Sequence, residues 1–227
     1  AMAALLRGVE GIDNLYIASG SVDLPRHDYW CLPMSLPRGC GTTLDTIPSR
    51  NPYISLPRPP LGGGDLLRSG KRRVGVVWKG GAALANDRNR SLPSLETLRT
   101  LWSVDGVEFY SLQKGQGEEQ GAAPPAGQPL VDLAPGLTDL ARAADAIANL
   151  DLVICVDTAV AHLAGALGKP CFVMLPAIGL DWRWGAAGST TPWYPTLTLF
   201  RQATPGDWEP VVAQMSAVLA ERAGARR

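Results

Sequence analysis

Two uninterrupted apolar pentads, Leu152-Val153-Ile154-Cys155-Val156 and Cys171-Phe172-Val173-Met174-Leu175, constrain this chain more than any other feature of its sequence. A strand with one wet face alternates polar and apolar residues, so unbroken runs of this length belong to strands covered on both faces. Residues 159–167 between them read as a helix, which Lys169-Pro170 ends. A buried strand, a helix and a second buried strand in so short a span make a parallel crossover unit, right-handed by the general rule.

The same grammar extends in both directions. Val74-Gly75-Val76-Val77-Trp78 is a third buried strand, and Ser91 or Ser94 can cap a following helix that carries Leu95, Leu98, Leu101 and Trp102 on one face. Residues 107–112 read as a strand and 115–129 as a Gly/Pro/Ala/Gln loop. Thr138 caps a helix bearing Leu140, Ala144, Ile147 and Ala148, residues 197–200 form a shorter strand, and Asp207 caps a C-terminal helix with Trp208, Val211, Val212, Met215 and Leu219 inward. The predicted fold class is α/β, a Rossmann-like parallel sheet with helices on both faces. Ligands of such sheets bind beyond the carboxyl ends of the strands, so the loops after Trp78, Leu112, Val156 and Leu175 are where chemistry is expected.

Before residue 60 the pattern is different. Pro25, Pro33, Pro37, Pro48, Pro52 and Pro57 interrupt every candidate element, leaving room only for short strands or turns. Residues 57–64 read as a connector, stiff where prolines dominate and loose where glycines do. The expected organisation is residues 1–64 as remnant and connector, and 65–227 as the sheet domain. The opening Ala-Met-Ala reads as an internal start, so the chain is expected to be part of a longer protein.

Lys plus Arg and Asp plus Glu balance at 21 each, which excludes the broad basic surface that nonspecific nucleic-acid or membrane-surface binding requires. An anionic ligand must therefore be held by a local site. Cys31, Cys40, Cys155 and Cys171 have neither CxxC spacing nor histidine company, so a disulfide framework and a zinc set are both unsupported. No apolar run reaches the roughly 18 residues of a membrane span and no signal peptide opens the chain, so a soluble, cytoplasmic protein is expected.

The loop after Val156 carries the most chemical information. Asp157-Thr158 opens a helix at the end of a central strand, so its free N–H groups and positive dipole end face the crevice and favour a phosphate. Thr158 adds a hydroxyl, and His162, four residues on, shares its helix face. Both can donate to one diphosphate. Ala159, Ala161, Ala164, Gly165 and Ala166 keep the surroundings small. The competing reading makes Asp157 and Thr158 plain helix caps and His162 a core histidine.

This run, Asp157-Thr158 through His162-Leu163-Ala164 to Leu167-Gly168 and Pro170, resembles the D-T-G-x-x-H-L-A-A-A-L-G-x-P signature of the ADP-heptose:lipopolysaccharide heptosyltransferases. Residues 71–222 resemble the nucleotide-sugar-binding, C-terminal half of that GT-B superfamily. Trp78-Lys79-Gly80, the segment from Asn86 to Ser91, Ser111-Leu112-Gln113-Lys114-Gly115, Asp181-Trp182-Arg183-Trp184 and Pro192-Trp193-Tyr194-Pro195 are similar to blocks of the glycosyltransferase-like region that follows tetratricopeptide repeats in bacterial proteins. The resemblance implies that Thr158, the backbone at Ala159 and His162 hold a donor diphosphate, with Arg90 on the phosphates and Lys79 and Gly80 opening the same crevice. It also implies metal-independent glycosyl transfer, with a nucleotide-diphosphate sugar as donor substrate and no cofactor. Two departures stand out: Ala159 replaces the signature glycine, and the acceptor-side domain is represented only by its last portion.

Other candidates carry two readings each. Gln113 and Lys114 end a strand and can meet ribose or base edges, or lie on the surface. Asp181 to Trp184 offers indoles and a guanidinium to a sugar or base, or forms a packed loop. Asp28 is a candidate catalytic base, against an ordinary exposed carboxylate. The glycines from 115 to 121 fail the dinucleotide fingerprint because position 120 is Gln, which disfavours a dehydrogenase-like domain. No HExxH, DxD, GxSxG or P-loop run occurs, and no metal ligands are assigned. Two functions remain open: a glycosyltransferase that is incomplete in this chain, its acceptor a glycan, lipid-linked sugar or protein, and a noncatalytic nucleotide-sugar-binding or assembly module. Homodimerisation through exposed apolar residues is a further expectation.

Overall fold

The computed structural model describes residues 2–7, 9–18, 20–56 and 70–224. The expected connector at 57–64 and the boundary after it lie outside the described residues. In chain order the elements are α1 (Ala3–Leu6), α2 (Leu36–Gly39), β1 (Arg72–Val77), α3 (Asp87–Arg90), β2 (Val107–Ser111), α4 (Glu118–Ala122), β3 (Val131–Asp132), α5 (Leu140–Ala148), β4 (Leu152–Val156), α6 (Ala159–Ala166), β5 (Cys171–Leu175), β6 (Leu197–Arg201) and α7 (Glu209–Gly224). A 3₁₀ helix, Leu95–Ser103, stands between α3 and β2.

All strand pairs are parallel, in the order β3-β2-β1-β4-β5-β6. This is the doubly wound Rossmann order, which builds outward from β1 to one side and then from β4 to the other. The α/β fold class read from the buried pentads is therefore the observed one. β4 and β5 are buried at every residue, and they lie in the centre of the sheet.

Alternate residues feed two cores. On one face Val77, Tyr110, Val153, Cys155, Val173 and Leu199 meet Ala144 and Ile147 of α5 and Ala161 and Ala164 of α6. On the other, Val74, Val76, Phe109, Ile154, Phe172 and Met174 meet Leu95, Leu98 and Leu101 and then Val211, Val212, Met215 and Leu219 of α7. Burial of each large side chain contributes on the order of 1.5–3 kcal/mol before entropy is counted.

The segment predicted as an α-helix after Ser94 is 3₁₀, and its leucines explain why. Leu95, Leu98 and Leu101 recur every three residues, the period of a 3₁₀ helix, and all three are fully buried. The stretch read as a loop at 115–129 contains α4, whose start is set by Gly117 at φ 83°, a left-handed value that glycine tolerates. Soon after it comes β3, two residues too short to show periodicity. Asp139, not Thr138, caps α5, accepting from the Arg142 amide at 2.9 Å. Helix α7 begins at Glu209, so Trp208 rather than Asp207 precedes its first turn.

The N-terminal segment carries short helices and, among the described residues, no strand. Leu5 is buried and α1 packs on α5, while the Tyr53 and Ile54 amides both donate to the Ala166 carbonyl at the end of α6, at 3.0 and 3.2 Å. Ile54 and Leu56 pack against the core, whereas Tyr29, Trp30, Met34 and Leu44 are exposed. No described helix is long and apolar enough to cross a membrane.

Candidate functional site

Strand order reverses between β1 and β4, and beyond their carboxyl ends opens a crevice of about 730 Å³. Four loops line it: Lys79 to Leu84 with Arg90 after β1, Gln113 to Gln116 after β2, Asp157 to His162 after β4, and Asp181 with Arg183 after β5. Cations outnumber carboxylates along this lining, Lys79, Arg90, Lys114 and Arg183 against Asp157 and Asp181, which favours an anion there.

Helix α6 enters the crevice by its N-terminus. Thr158 occupies the capping position at φ −141° and ψ 172° but makes no capping bond, and its Oγ1 is enclosed without any hydrogen-bond partner. The first amides of α6, those of Ala159 and Val160, have no carbonyl one turn back to reach. Donors are thus left unspent where the helix dipole is positive. The cap reading of Thr158 is not what the geometry contains.

His162 lies one turn along α6, with Nδ1 3.2 Å from the Tyr194 hydroxyl and its ring stacked on Trp184 at 5.0 Å and 20°. Burial, followed by the Arg183 charge, pushes the imidazole below its ordinary value, with Asp157 and Asp181 opposing. The ring is therefore largely neutral at pH 7 and offers a single N–H. Tyr194 fits because position 165 is glycine: a Cβ there would overlap the Tyr194 ring. Trp184 is fully buried behind His162, while Trp182 is 59% exposed and meets Trp193 edge-on. The two indoles expected to act together are thus separated by role.

The loop after β1 is held by a buried knot. Gly80 N–H donates to Ser91 Oγ at 2.8 Å, Ser91 Oγ donates to Asp87 Oδ1 at 2.8 Å, and Arg90 Nε approaches the same oxygen at 3.5 Å. A Cβ on Gly80 would lie 2.6 Å from Asp87 Oδ1 and 2.8 Å from Arg90 Nη2, so glycine lets the carboxylate and guanidinium close over the backbone. Asn86 Nδ2 then donates to the Ile178 and Gly179 carbonyls at 3.1 and 3.0 Å, tying this loop to the one after β5. Arg88 is exposed and does not line the crevice.

The expected ligand contacts divide after β2. Gln113 is buried, its Oε1 accepting from the Trp78 and Lys79 amides at 2.9 Å and its Nε2 donating to the Gln116 carbonyl at 2.8 Å. The side chain joins two loops and has no polar atom left for a ribose. Lys114 reaches the crevice wall but binds Glu118 at 2.7 Å and the Ala134 carbonyl at 3.1 Å, and the same contact draws the Glu118 carboxyl below its usual range. Lys79, by contrast, carries no bond from its ammonium to any described residue, and it lines the crevice.

Asp157, Thr158, Ala159, His162, Lys79, Gly80 and Arg90 are thus brought together. Asp28 is not: it is exposed on the N-terminal segment and absent from the lining. Arg183, read from the sequence either as a guanidinium for a sugar or base or as part of a packed loop, lines the crevice; its Nη2 binds Asp181 at 2.7 Å while its Nε is enclosed without a partner. The signal available was its place after β5. Among the described residues no group of three or more His, Cys, Asp or Glu is arranged to hold a metal ion.

The chain is 29% identical over 216 residues to protein FlbA of Caulobacter vibrioides, an alignment covering 86% of this chain and 33% of FlbA. It therefore spans about a third of the length of that relative. Among solved structures, E. coli ADP-heptose lps heptosyltransferase II superposes with a TM-score of 0.48 at 18% identity, over 68% of this chain and 48% of that one. E. coli heptosyltransferase WaaC with ADP gives 0.43 at 21% identity, over 68% and 46%. A glycosyl transferase family 9 protein from Veillonella parvula gives 0.45 at 14% identity, over 61% and 37%. Residues 106–174, which carry β2 to β5 and the Thr158–His162 turn, match glycosyltransferase family 9 (heptosyltransferase).

Proposed function

We propose that the crevice binds the diphosphate of a nucleotide sugar and that the chain is the donor-binding, C-terminal half of a GT-B-type glycosyltransferase, of the kind that follows tetratricopeptide repeats. The observation that carries this reading is the uncapped start of α6, with the Thr158 hydroxyl unpartnered beside it, opening into a cation-rich crevice at the strand-order switch point. The family 9 match over 106–174 supports it, since that stretch contains the turn.

The chemistry follows from charge. Breaking the bond between the anomeric carbon and the diphosphate leaves negative charge on the departing oxygen. The α6 amides and neutral His162, through one N–H, are donors held in place for that charge, which lower a barrier without reorganising, while Thr158, Lys79 and Arg183 are further donors that turn toward it. Rotation about χ1 brings the Thr158 hydroxyl from its enclosed position to the ligand.

Calorimetric titration with ADP, UDP, GDP and their sugars tests this. Binding of at least one is expected, weakened roughly 5- to 150-fold in His162→Ala, the equivalent of one hydrogen bond to a charged oxygen at about 1–3 kcal/mol. Absence of binding by every nucleotide at millimolar concentration refutes it. Acceptor positioning is worth several kcal/mol of barrier, and the described part of residues 2–56 builds no second sheet to supply it. Transfer by this chain alone is accordingly expected to be slow beside that of a longer version carrying an acceptor-side domain, with equal rates as the contrary result.

A further inference from the structure

His162 belongs to a connected set of side chains drawn from three distant parts of the sequence. Its Nδ1 faces the Tyr194 hydroxyl at 3.2 Å, and Tyr194 stands beside Tyr53 of the N-terminal segment. The segment is held in place there, because the Tyr53 and Ile54 amides bond the end of α6 and Ile54 packs into the core. Trp184 stacks on one face of the imidazole and Tyr194 meets it edge-on at 5.7 Å, so the ring cannot turn over to exchange its nitrogens without disrupting both contacts. Nε2 is left as the nitrogen for the crevice.

We infer that Tyr194 is a positioning residue that fixes the tautomer of His162, its O–H donating to His162 Nδ1, so that Nε2–H is presented to the crevice. The direction follows from acceptor strength and from counting protons. An imidazole nitrogen is a better acceptor than a phenol oxygen, and the buried Tyr194 hydroxyl has His162 Nδ1 within reach as the acceptor for its one proton. The charged groups facing the imidazole are Arg183, Asp157 and Asp181, and burial keeps the ring neutral among them, so the choice of tautomer decides whether the crevice meets a donor or a lone pair. The use of that donor on a phosphate oxygen rests on the diphosphate reading of the crevice; the tautomer itself does not.

The chain has only two histidines, so the test is direct. Imidazole-¹⁵N labelling and long-range ¹H–¹⁵N correlation of the ligand-free chain, with His27→Gln to assign the signals, reports which nitrogen bears the proton. A single Nε2–H tautomer for His162 is expected between pH 7 and 8, relaxing toward a mixture in Tyr194→Phe. Circular dichroism confirms that Tyr194→Phe is folded. A proton on Nδ1 in the wild-type chain, or an unchanged tautomer in Tyr194→Phe, overturns the inference. ADP titration separates the two claims: Tyr194→Phe is expected to weaken ADP about 2- to 12-fold, and equal binding by both proteins overturns the positioning role. If wild-type ADP binding is absent while the tautomers behave as stated, the tautomer assignment stands and the diphosphate reading falls.

Discussion

Replacing Thr158 by Val should stabilise the ligand-free protein while weakening diphosphate binding, and the opposition of signs is what makes the substitution informative. The Thr158 Oγ1 is enclosed and unpartnered, and an unmade buried hydrogen bond costs about 1–3 kcal/mol. Valine keeps the branched shape and suits the extended backbone of the residue, at φ −141° and ψ 172°. No capping bond is lost, since none is made. For a domain of this size each kcal/mol moves the melting temperature by roughly 2–4 °C, so a rise of roughly 2 to 12 °C is expected. A hydroxyl donating to a charged phosphate oxygen is worth about 1.5–3 kcal/mol, so ADP should bind roughly 10- to 150-fold more weakly. Scanning calorimetry and titration on the same preparation read both quantities. An ordinary helix cap would instead lose about 0.5–2 kcal/mol on removal. A lower melting temperature together with unchanged ADP affinity would refute the reasoning.

Other outcomes follow from neighbouring groups. Because burial lowers the His162 value below that of the unfolded chain, the unfolded state binds the extra proton first, so stability is full above about pH 6.5 and falls as pH drops through the folded value; His162→Gln should flatten that slope in urea melts at pH 7, 6 and 5. Gly165→Ala, which by helix propensity alone gains up to about 1 kcal/mol, should destabilise because the new methyl group overlaps the Tyr194 ring, and a higher melting temperature would show that the ring yields without cost. Excess EDTA should leave ADP affinity unchanged if Lys79, Arg183 and the α6 amides carry the charge, and binding that Mg²⁺ restores after chelation would contradict this.

What was legible in the sequence was whatever depends on neighbours along the chain. The pentads of β4 and β5 announce a doubly covered sheet, and the turn between β4 and α6 places Thr158 and His162 together because both lie within two helical turns. Lys79, Gly80 and Arg90 were found for the same reason, being near the end of β1. The parts that escaped depend on distance. Gln113 looked like a ligand contact because nothing local reveals that the β1 loop would consume its amide, and Tyr194 comes from a separate segment that only the folded sheet brings beside His162. Two-residue β3 and the three-residue repeat of Leu95, Leu98 and Leu101 failed differently, through a signal too short and a period taken for another.

The position of β1 also has a consequence for the order in which the chain can fold. It pairs with β2 on one side and with β4 on the other, and β4 follows only after the intervening α4, β3 and α5. As synthesis proceeds, β1, β2 and β3 are available together while the second edge of β1 still lacks its neighbour. That edge, along Val74 to Val77, is apolar and lies at the middle of the finished sheet, so it carries none of the charges or prolines that protect a natural outer strand. Until residues 152–156 arrive, the nascent domain exposes a template for pairing with another chain, and its yield at high expression rates should depend on how long that interval lasts.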